Sequence, residues 1–492
     1  MKLLTRACLL LSCSLIAPVI GGARADAVSE AVAKCDALGA STEDATRPKG
    51  VDGVPVDKLD AEAVTAACDA ALKLSPANPR LEYQLARALQ AADKDLPRAF
   101  DLYMQAANGG SAAAMNNLAA TYEKGTGIDP DPVEALRWYK RAAEPPHNFR
   151  LSKVNLGMAY QNGNGVEKDP ALAAKLFCEA AEAGLPEAMT RCGFAYNTGD
   201  GVAEDPTKAV DWYRKAAELG NGTSQRNLGI CLRDGYGVGQ DYAQALEWLR
   251  KAAAQDLPDA NSTLGAMYEE GFGVPASDVE AEKLYRQAAE FGDADGQNDL
   301  ARFYENGRAL PKDYTAAWAW YQKAADQNHA AAMNSLGFLY DQANGVGQDR
   351  VKAFELYQKS AALGNEDAMN NVAESLIWGE GTDKDVSAGL EWSRKAVEAG
   401  SSLAAFNLGR YYDEGKIIEH DAVKAADLCF QALDDGLDDA LAMFVDKHGA
   451  DAAPDTLAAL QDRLAASGAK FVRAKDRLTD SAAAALKALS EN

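Results

Sequence analysis

The stretch "TGDGVAEDPTKAVDWYRKAAELG", residues 198–220, sets Gly199 and Gly201 one residue apart in front of a helix-forming run. A glycine-rich turn that feeds a helix can hold a phosphate, because the first N–H groups of the helix lack partners and its dipole favours an anion. The same spacing returns at Gly163 and Gly165, Gly235 and Gly237, and Gly271 and Gly273. A nucleotide fingerprint follows a strand and occurs once, whereas this motif follows a helical run, recurs, and has no P-loop Lys-Ser pair. It therefore reads as a turn between helices. Other chemistry is thin: the histidines, His147, His329, His420 and His448, are isolated in sequence. With no H-E-x-x-H helix, zinc knuckle, nucleophile elbow or nameable carboxylate pair, no catalytic residue, metal site or cofactor is assigned, and the chain reads as a non-enzyme.

The elements that carry these glycines recur every 36 residues. Gly184, Gly220, Gly292, Gly364, Gly400 and Gly436 share one grid with Asp256 and Asn328, and Asn and Asp are the residues that best replace Gly in the left-handed conformation of a helix C-terminus. Helix starts form a second column, Asp169, Asp205, Asp241, Ser277, Asp313, Asp349, Asp385 and Asp421, with Asp131 and Asp95 upstream after a two-residue slip. Each can accept a backbone N–H as an N-cap, and Pro132, Pro170 and Pro206 follow where a helix tolerates proline. The partner helix shows in "AMNNLAATY" from Ala114 and "AAMNSLGFLY" from Ala331. Small residues there, Gly157, Gly193, Gly229, Gly265, Gly337 and Gly409, permit close helix approach, and Tyr160, Tyr196, Tyr268, Tyr304, Tyr340 and Tyr412 fill space one turn on. Trp138, Trp212, Trp248, Trp320 and Trp392 alternate with leucines on the second helix and read as core, while Trp318 and Trp378 stand outside that column. Two helices of about 12 residues, each roughly 20 Å long, make an antiparallel hairpin. About ten such hairpins over residues 79–436 predict an all-α superhelical solenoid with a 36-residue period.

The pattern LG-x-x-Y, G-x-G-V, D-x-x-x-A, W-Y-x-K-A-A-x-x-G is similar to the Sel-1-like repeat, a relative of the tetratricopeptide repeat. The resemblance implies a scaffold or adaptor that binds other proteins. Exported bacterial members of that family regulate sensor kinases, assist envelope or exopolysaccharide assembly, or engage host proteins. Residues 26–78 resemble an N-terminal module of bacterial repeat proteins, from which a two-cysteine helical cap is carried over. The Ala-rich residues 437–492 read as a C-terminal helical cap over an otherwise exposed apolar face.

Lys2 and Arg6 precede an apolar run from Ala7 to Ile20, followed by Ala23-Arg24-Ala25, so residues 1–25 read as a signal peptide and the mature chain as exported, to the periplasm or beyond the cell. No segment is long enough for a transmembrane span. Formal charge is −23, or −26 without Lys2, Arg6 and Arg24; no basic stripe offsets it, which argues against nucleic acid and fits either a solvated surface or a partner with a basic surface. In an oxidising compartment Cys35 and Cys68, which flank one N-terminal segment, are the first candidate disulfide. Cys178 and Cys192 stand nearly opposite across an interhelix turn. Cysteine-rich relatives bridge adjacent helices one turn nearer the turn, where this chain has Ala181 and Met189, so a bridge and two thiols both stay open. Cys231 and Cys429 read as buried thiols.

Asparagine forms a column outside the predicted core: Asn298, Asn334 and Asn370 on the grid and Asn116 upstream, with Asn117, Asn155, Asn227, Asn371 and Asn407 one position on. In related peptide-binding repeats such residues hold the backbone of an extended ligand. Here Asn116, Asn298, Asn334 and Asn370 are either partner-binding residues on a concave face or bonds between neighbouring helices. The expected function is capture of a protein or extended peptide, in the setting of an envelope or signalling complex. A carbohydrate or peptidoglycan binder would show exposed aromatics along the groove, and a weak cell-wall hydrolase would show Ser, Lys and Glu clustered in one cleft.

Overall fold

A computed structural model describes residues 17–434 and 458–459. Residues 1–16 of the predicted leader, Gly436, His448 and the predicted C-terminal cap, apart from 458–459, lie outside the described residues. The chain divides into two compact units, Met1–Asp241 and Tyr242–Asn492. In the first unit α1 (Ala17–Gly39) runs through the predicted cleavage site and α2 (Ala61–Leu74) follows. Next come α3 (Pro79–Ala91), α4 (Leu96–Asn108), α5 (Ala112–Lys124), α6 (Pro132–Ala143), α7 (Arg150–Asn162), α8 (Pro170–Glu182), α9 (Pro186–Thr198), α10 (Pro206–Glu218) and α11 (Gly222–Asp234). The second unit holds α12 (Tyr242–Ala253), α13 (Pro258–Glu270), α14 (Asp278–Glu290), α15 (Ala294–Asn306), α16 (Tyr314–Asp326) and α17 (Ala330–Gln342). It continues with α18 (Arg350–Ala362), α19 (Glu366–Trp378), α20 (Val386–Glu398), α21 (Ser402–Glu414) and α22 (Ala422–Asp434). From α3 onward odd-numbered helices are the first, and even-numbered helices the second, of each hairpin.

The start signals act as caps. Asp131, Asp169, Asp205, Ser277, Asp313, Asp349 and Asp385 each accept a backbone N–H two or three residues on, satisfying groups that the helix itself leaves bare. Asp95 departs from the column: its φ is +46° and its side chain makes no cap bond. At the other end Gly184, Gly220, Gly292, Gly364 and Gly400 have φ between +85° and +97°, and Asp256 and Asn328 take φ +56° and +64°.

Gly201 explains the paired glycines. Its φ is +76°, and a Cβ there would lie 2.0 Å from the carbonyl oxygen of Pro170, at the start of α8 in the preceding hairpin. The turn is pressed onto its neighbour, so it serves packing between repeats. The backbone N–H of Asp205 then donates to Tyr196 O at 2.8 Å, tying the end of the turn back to α9.

In four hairpins an aromatic side chain of the second helix lies on a glycine of the first. A Cβ on Gly157 would stand 2.6 Å from the Phe177 ring, on Gly193 2.8 Å from Tyr213, on Gly265 2.7 Å from Tyr285 and on Gly337 2.7 Å from Tyr357. This aromatic column, one residue beyond the tryptophans, is the true core. Tyr103, Tyr139, Tyr213, Tyr285 and Tyr321 are buried, whereas in the tryptophan column Trp138 is buried but Trp212, Trp248, Trp320 and Trp392 are only half-buried. One residue turns a helix by about 100°, which rotates the tryptophans to the rim. There Lys215, Lys251, Lys323 and Lys395, three residues on, cover Trp212, Trp248, Trp320 and Trp392 at 3.5–4.7 Å from the ring centroids.

At the N-terminus Cys35 and Cys68 are bonded, joining α1 to α2. Arg80 of α3 grips Asp36 with two bonds of 2.9 and 3.1 Å, and Arg87 donates to Gly39 O at 3.2 Å and to Val54 O, so arginines of the first repeat hold the end of α1 and the segment that precedes α2. The second disulfide joins Cys178 of α8 to Cys192 of α9. An L side chain at left-handed φ costs about 1–2 kcal/mol, and Gly184, with nothing within 4 Å of an added Cβ, isolates that cost. Gly201→Ala is expected to destabilise the chain by a further 1–3 kcal/mol, about the cost of overpacking, measured against Gly184→Ala by urea unfolding.

Candidate functional site

The first helices of successive hairpins lie side by side, and in the first unit they leave a cleft of about 390 Å³. It is lined by α7, α8, α9 and α11. Its floor is Phe177, Ala173, Ala174 and Ala195; its rim carries Gln161, Glu187, Arg191, Asp200, Thr223 and Asn227. Phe194 stands in it 49% exposed, an apolar side chain open to solvent beside an apolar floor. Arg191 pairs with Glu187 one turn earlier, at 3.2 Å, and lies 5.6 Å from the centroid of the Phe177 ring. Thr190 is committed to the frame: its hydroxyl meets Asn221 Oδ1 at 3.1 Å and Ser224 Oγ at 2.7 Å. The cleft thus offers an apolar floor, amide and hydroxyl groups at the rim, and a disulfide that fastens its walls, since Cys178 and Cys192 adjoin Phe177 and Arg191.

The asparagine column has another use. Asn116 is buried and its Oδ1 accepts from Ser152 Oγ at 2.9 Å and Asn155 Nδ2 at 3.0 Å; Asn370 is buried and accepts from Asn407 Nδ2 at 3.2 Å. Asn334 accepts from Asn371 Nδ2 at 2.8 Å. These bonds run from one first helix to the next, so Asn116 and Asn370 join repeats and present no surface to a partner. The sequence set both roles side by side; burial decides between them, because a buried amide oxygen must find its donor inside the protein. Asn298 and Asn334 keep partial exposure. Arg191 and Phe194 were missed in the sequence, although Phe194 directly follows the glycine column.

Further along, in the second unit, the residue corresponding to Phe194 is Arg302, and the surface becomes ionic. Arg302 donates to both oxygens of Glu269 at 2.7 Å, Tyr285 donates to Glu269 at 2.6 Å, and Arg308 joins Glu269 to Asp278. Burial alone would raise the Glu269 carboxyl, but the bonds from Arg302 and Tyr285 and the charges of Arg302 and Arg308 outweigh it and hold the pKa at about 2. Burial pushes the adjacent Asp299 up to about 6. Exposed aromatics do not line up along either unit: Phe194 and Phe338 share a register four repeats apart, and Trp378, 48% exposed, donates to Glu374 at 3.1 Å. Trp318 is half-buried. The cleft lining holds neither serine nor lysine. Burial pushes the unpaired Cys231 and Cys429 thiols up to about 11 and about 12, so both stay protonated and unreactive at neutral pH. Among the described residues no group of three or more His, Cys, Asp or Glu is placed to hold a metal ion.

Stacked helix hairpins whose first helices form a shared surface define a helical repeat scaffold. The chain belongs to the Sel1 repeat family, whose model matches it ten times, at residues 81–111, 112–144, 151–185, 186–221, 222–257, 258–293, 294–329, 330–365, 366–401 and 402–437. Among solved structures it is similar to c5321, a protective antigen present in uropathogenic Escherichia coli strains displaying an SLR fold. The two are 28% identical over 88% of this chain and 87% of that one, with a TM-score of 0.56. A Sel1 repeat protein from Oxalobacter formigenes is 31% identical over 60% of this chain and 85% of that one, with a TM-score of 0.45. No curated protein matches the chain.

Because the folded pKa of Glu269 lies below its unfolded value, its contribution to stability is present above about pH 4.5 and is lost as pH falls towards 2. Glu269→Gln is expected to be less stable than the parent at pH 6, with the deficit shrinking between pH 4.5 and 2, as followed by chemical unfolding at a series of pH values.

Proposed function

We propose that this chain is an exported scaffold that captures a partner protein through an extended segment laid across its first helices, and that in the periplasm it regulates an envelope or signalling complex. The observation that supports this most directly is the cleft at Phe194. Its volume of about 390 Å³ suits one or two side chains of a bound segment. Its apolar floor would take those side chains, while Gln161, Thr223 and Asn227 at the rim match the donors and acceptors of an extended main chain. Asn298 and Asn334, partly exposed, would extend the same kind of surface in the second unit.

Two disulfides agree with an oxidising compartment, and none of the described helices is long and apolar enough to cross a membrane. The acidic excess of the chain favours a partner with a basic surface. The uniform register of the repeats lets each hairpin support its neighbours, so a surface spread over several first helices is held without a ligand.

Truncating a central aromatic of an interface costs about 2 kcal/mol, roughly a 30-fold loss of affinity. Phe194→Ala is expected to weaken partner capture by about that factor with an unchanged circular dichroism spectrum. Phe291→Ala, exposed at the end of α14, should have no effect. A photo-crosslinker at Thr223 should yield a partner adduct; adducts confined to second-helix positions, with Phe194→Ala silent, would overturn the assignment.

A further inference from the structure

We propose that the Phe194 cleft selects a polypeptide segment with an apolar side chain and, a few residues away, a lysine or arginine that pairs with Asp200; this rests on the cleft being a peptide site. The starting point is a pair of residues that differs from its counterparts in three other hairpins. In three hairpins a first-helix glutamate accepts the hydroxyl of the second-helix tyrosine 16 residues on: Tyr139 to Glu123 at 2.9 Å, Tyr285 to Glu269 at 2.6 Å and Tyr321 to Glu305 at 2.7 Å. The α7–α8 hairpin has Gln161 and Phe177 at those two positions. Phenylalanine has no hydroxyl to give. Gln161 is released from the core and donates Nε2–H to Asp200 Oδ2 at 3.0 Å, in the turn after α9.

Two things follow from that substitution. The Phe177 ring, free of a polar tip, becomes apolar floor, and a carboxylate is fixed at the edge of the same cleft by a charge-assisted bond. Asp200 has no ion-pair partner among the described residues; its other bond is from its own N–H to Thr198 Oγ1 at 3.3 Å. Arg191, the cation of the cleft, is already engaged by Glu187 and the Phe177 ring. The uncompensated charge of the cleft is therefore negative and sits at Asp200.

The surface continues past this point. A second, shallower recess of about 610 Å³ shares Pro170 and Asp200 with the first and is lined by Tyr160, Glu167 and Asp169 against one cation, Lys168. Asp169 is spent as the cap of α8, but Glu167 is exposed. A chain leaving the apolar floor over Asp200 thus enters a region of net negative charge, and its cationic residue would find Asp200 first and Glu167 beyond. The Cys178–Cys192 bond holds α8 to α9, so the two walls need little ordering when a segment binds.

The test uses acetylated, amidated ten-residue peptides with Leu or Phe at one fixed position and Lys, Gln or Glu scanned through the others, titrated against the full chain by fluorescence anisotropy. Peptides with Lys within about four residues of the apolar anchor should bind best, and their affinity should fall with added salt. Asp200→Asn should reduce their affinity about three- to five-fold, the scale of a partly exposed ion pair, and leave the Gln peptides unchanged. Phe194→Ala should weaken every peptide. Binding that depends on Phe194 but does not distinguish Lys from Glu would overturn the charge selection and spare the peptide site; no Phe194-dependent binding to any peptide would overturn both.

Discussion

The contact on which the rest depends is the close approach of the second helix to a small first-helix residue, in four hairpins an aromatic ring on a glycine. A helix pair of this length buries too little apolar surface to hold itself together, and a Cβ at the glycine would sit within 2.6–2.8 Å of the ring. Removing that Cβ lets Tyr213 or Tyr285 lie flat against the backbone of its partner and disappear from solvent. Burial of one such side chain contributes about 1.5–3 kcal/mol, and the contact occurs in four hairpins. The paired glycines act on the next level: by pressing the turn onto the preceding second helix they convert separate hairpins into a stack. Asparagine amides then stitch first helix to first helix.

The same regularity makes the exceptions informative. Where the tyrosine is present, its hydroxyl must be satisfied; a glutamate at the end of the first helix does this for Tyr139, Tyr285 and Tyr321, and Gln90 does it for Tyr103. Where phenylalanine replaces it, the obligation lapses, the first-helix residue turns outward, and the recess at Phe194 acquires its polar edge. Where Arg302 replaces Phe194, the Glu269 carboxylate gathers two guanidinium groups and the surface is closed by ion pairs. One register thus produces a greasy cleft in one unit and a charged cluster in the other.

The sequence by itself determined the period, the helix ends and the family, because those depend on local requirements: an oxygen to cap a helix, a residue that tolerates positive φ, a small side chain where another must approach. The repetition multiplied each weak local signal until it could be read without ambiguity. It also put Cys35 and Cys68 forward as a pair, but left Cys178 and Cys192 open between a bridge and two thiols. Rotation about the helix axis is harder to read: Trp138 is buried, but Trp212, Trp248, Trp320 and Trp392 lie at the rim of the core, one residue from the column that fills it. The tertiary structure alone decided what the asparagines do, since Asn116 and Asn370 differ from ligand-binding amides only in what lies beside them. It alone assembled Gln161, Phe177, Phe194 and Asp200 into one cleft. Those residues come from three helices and a turn, and their proximity depends on how neighbouring hairpins pack, which no spacing along the chain encodes.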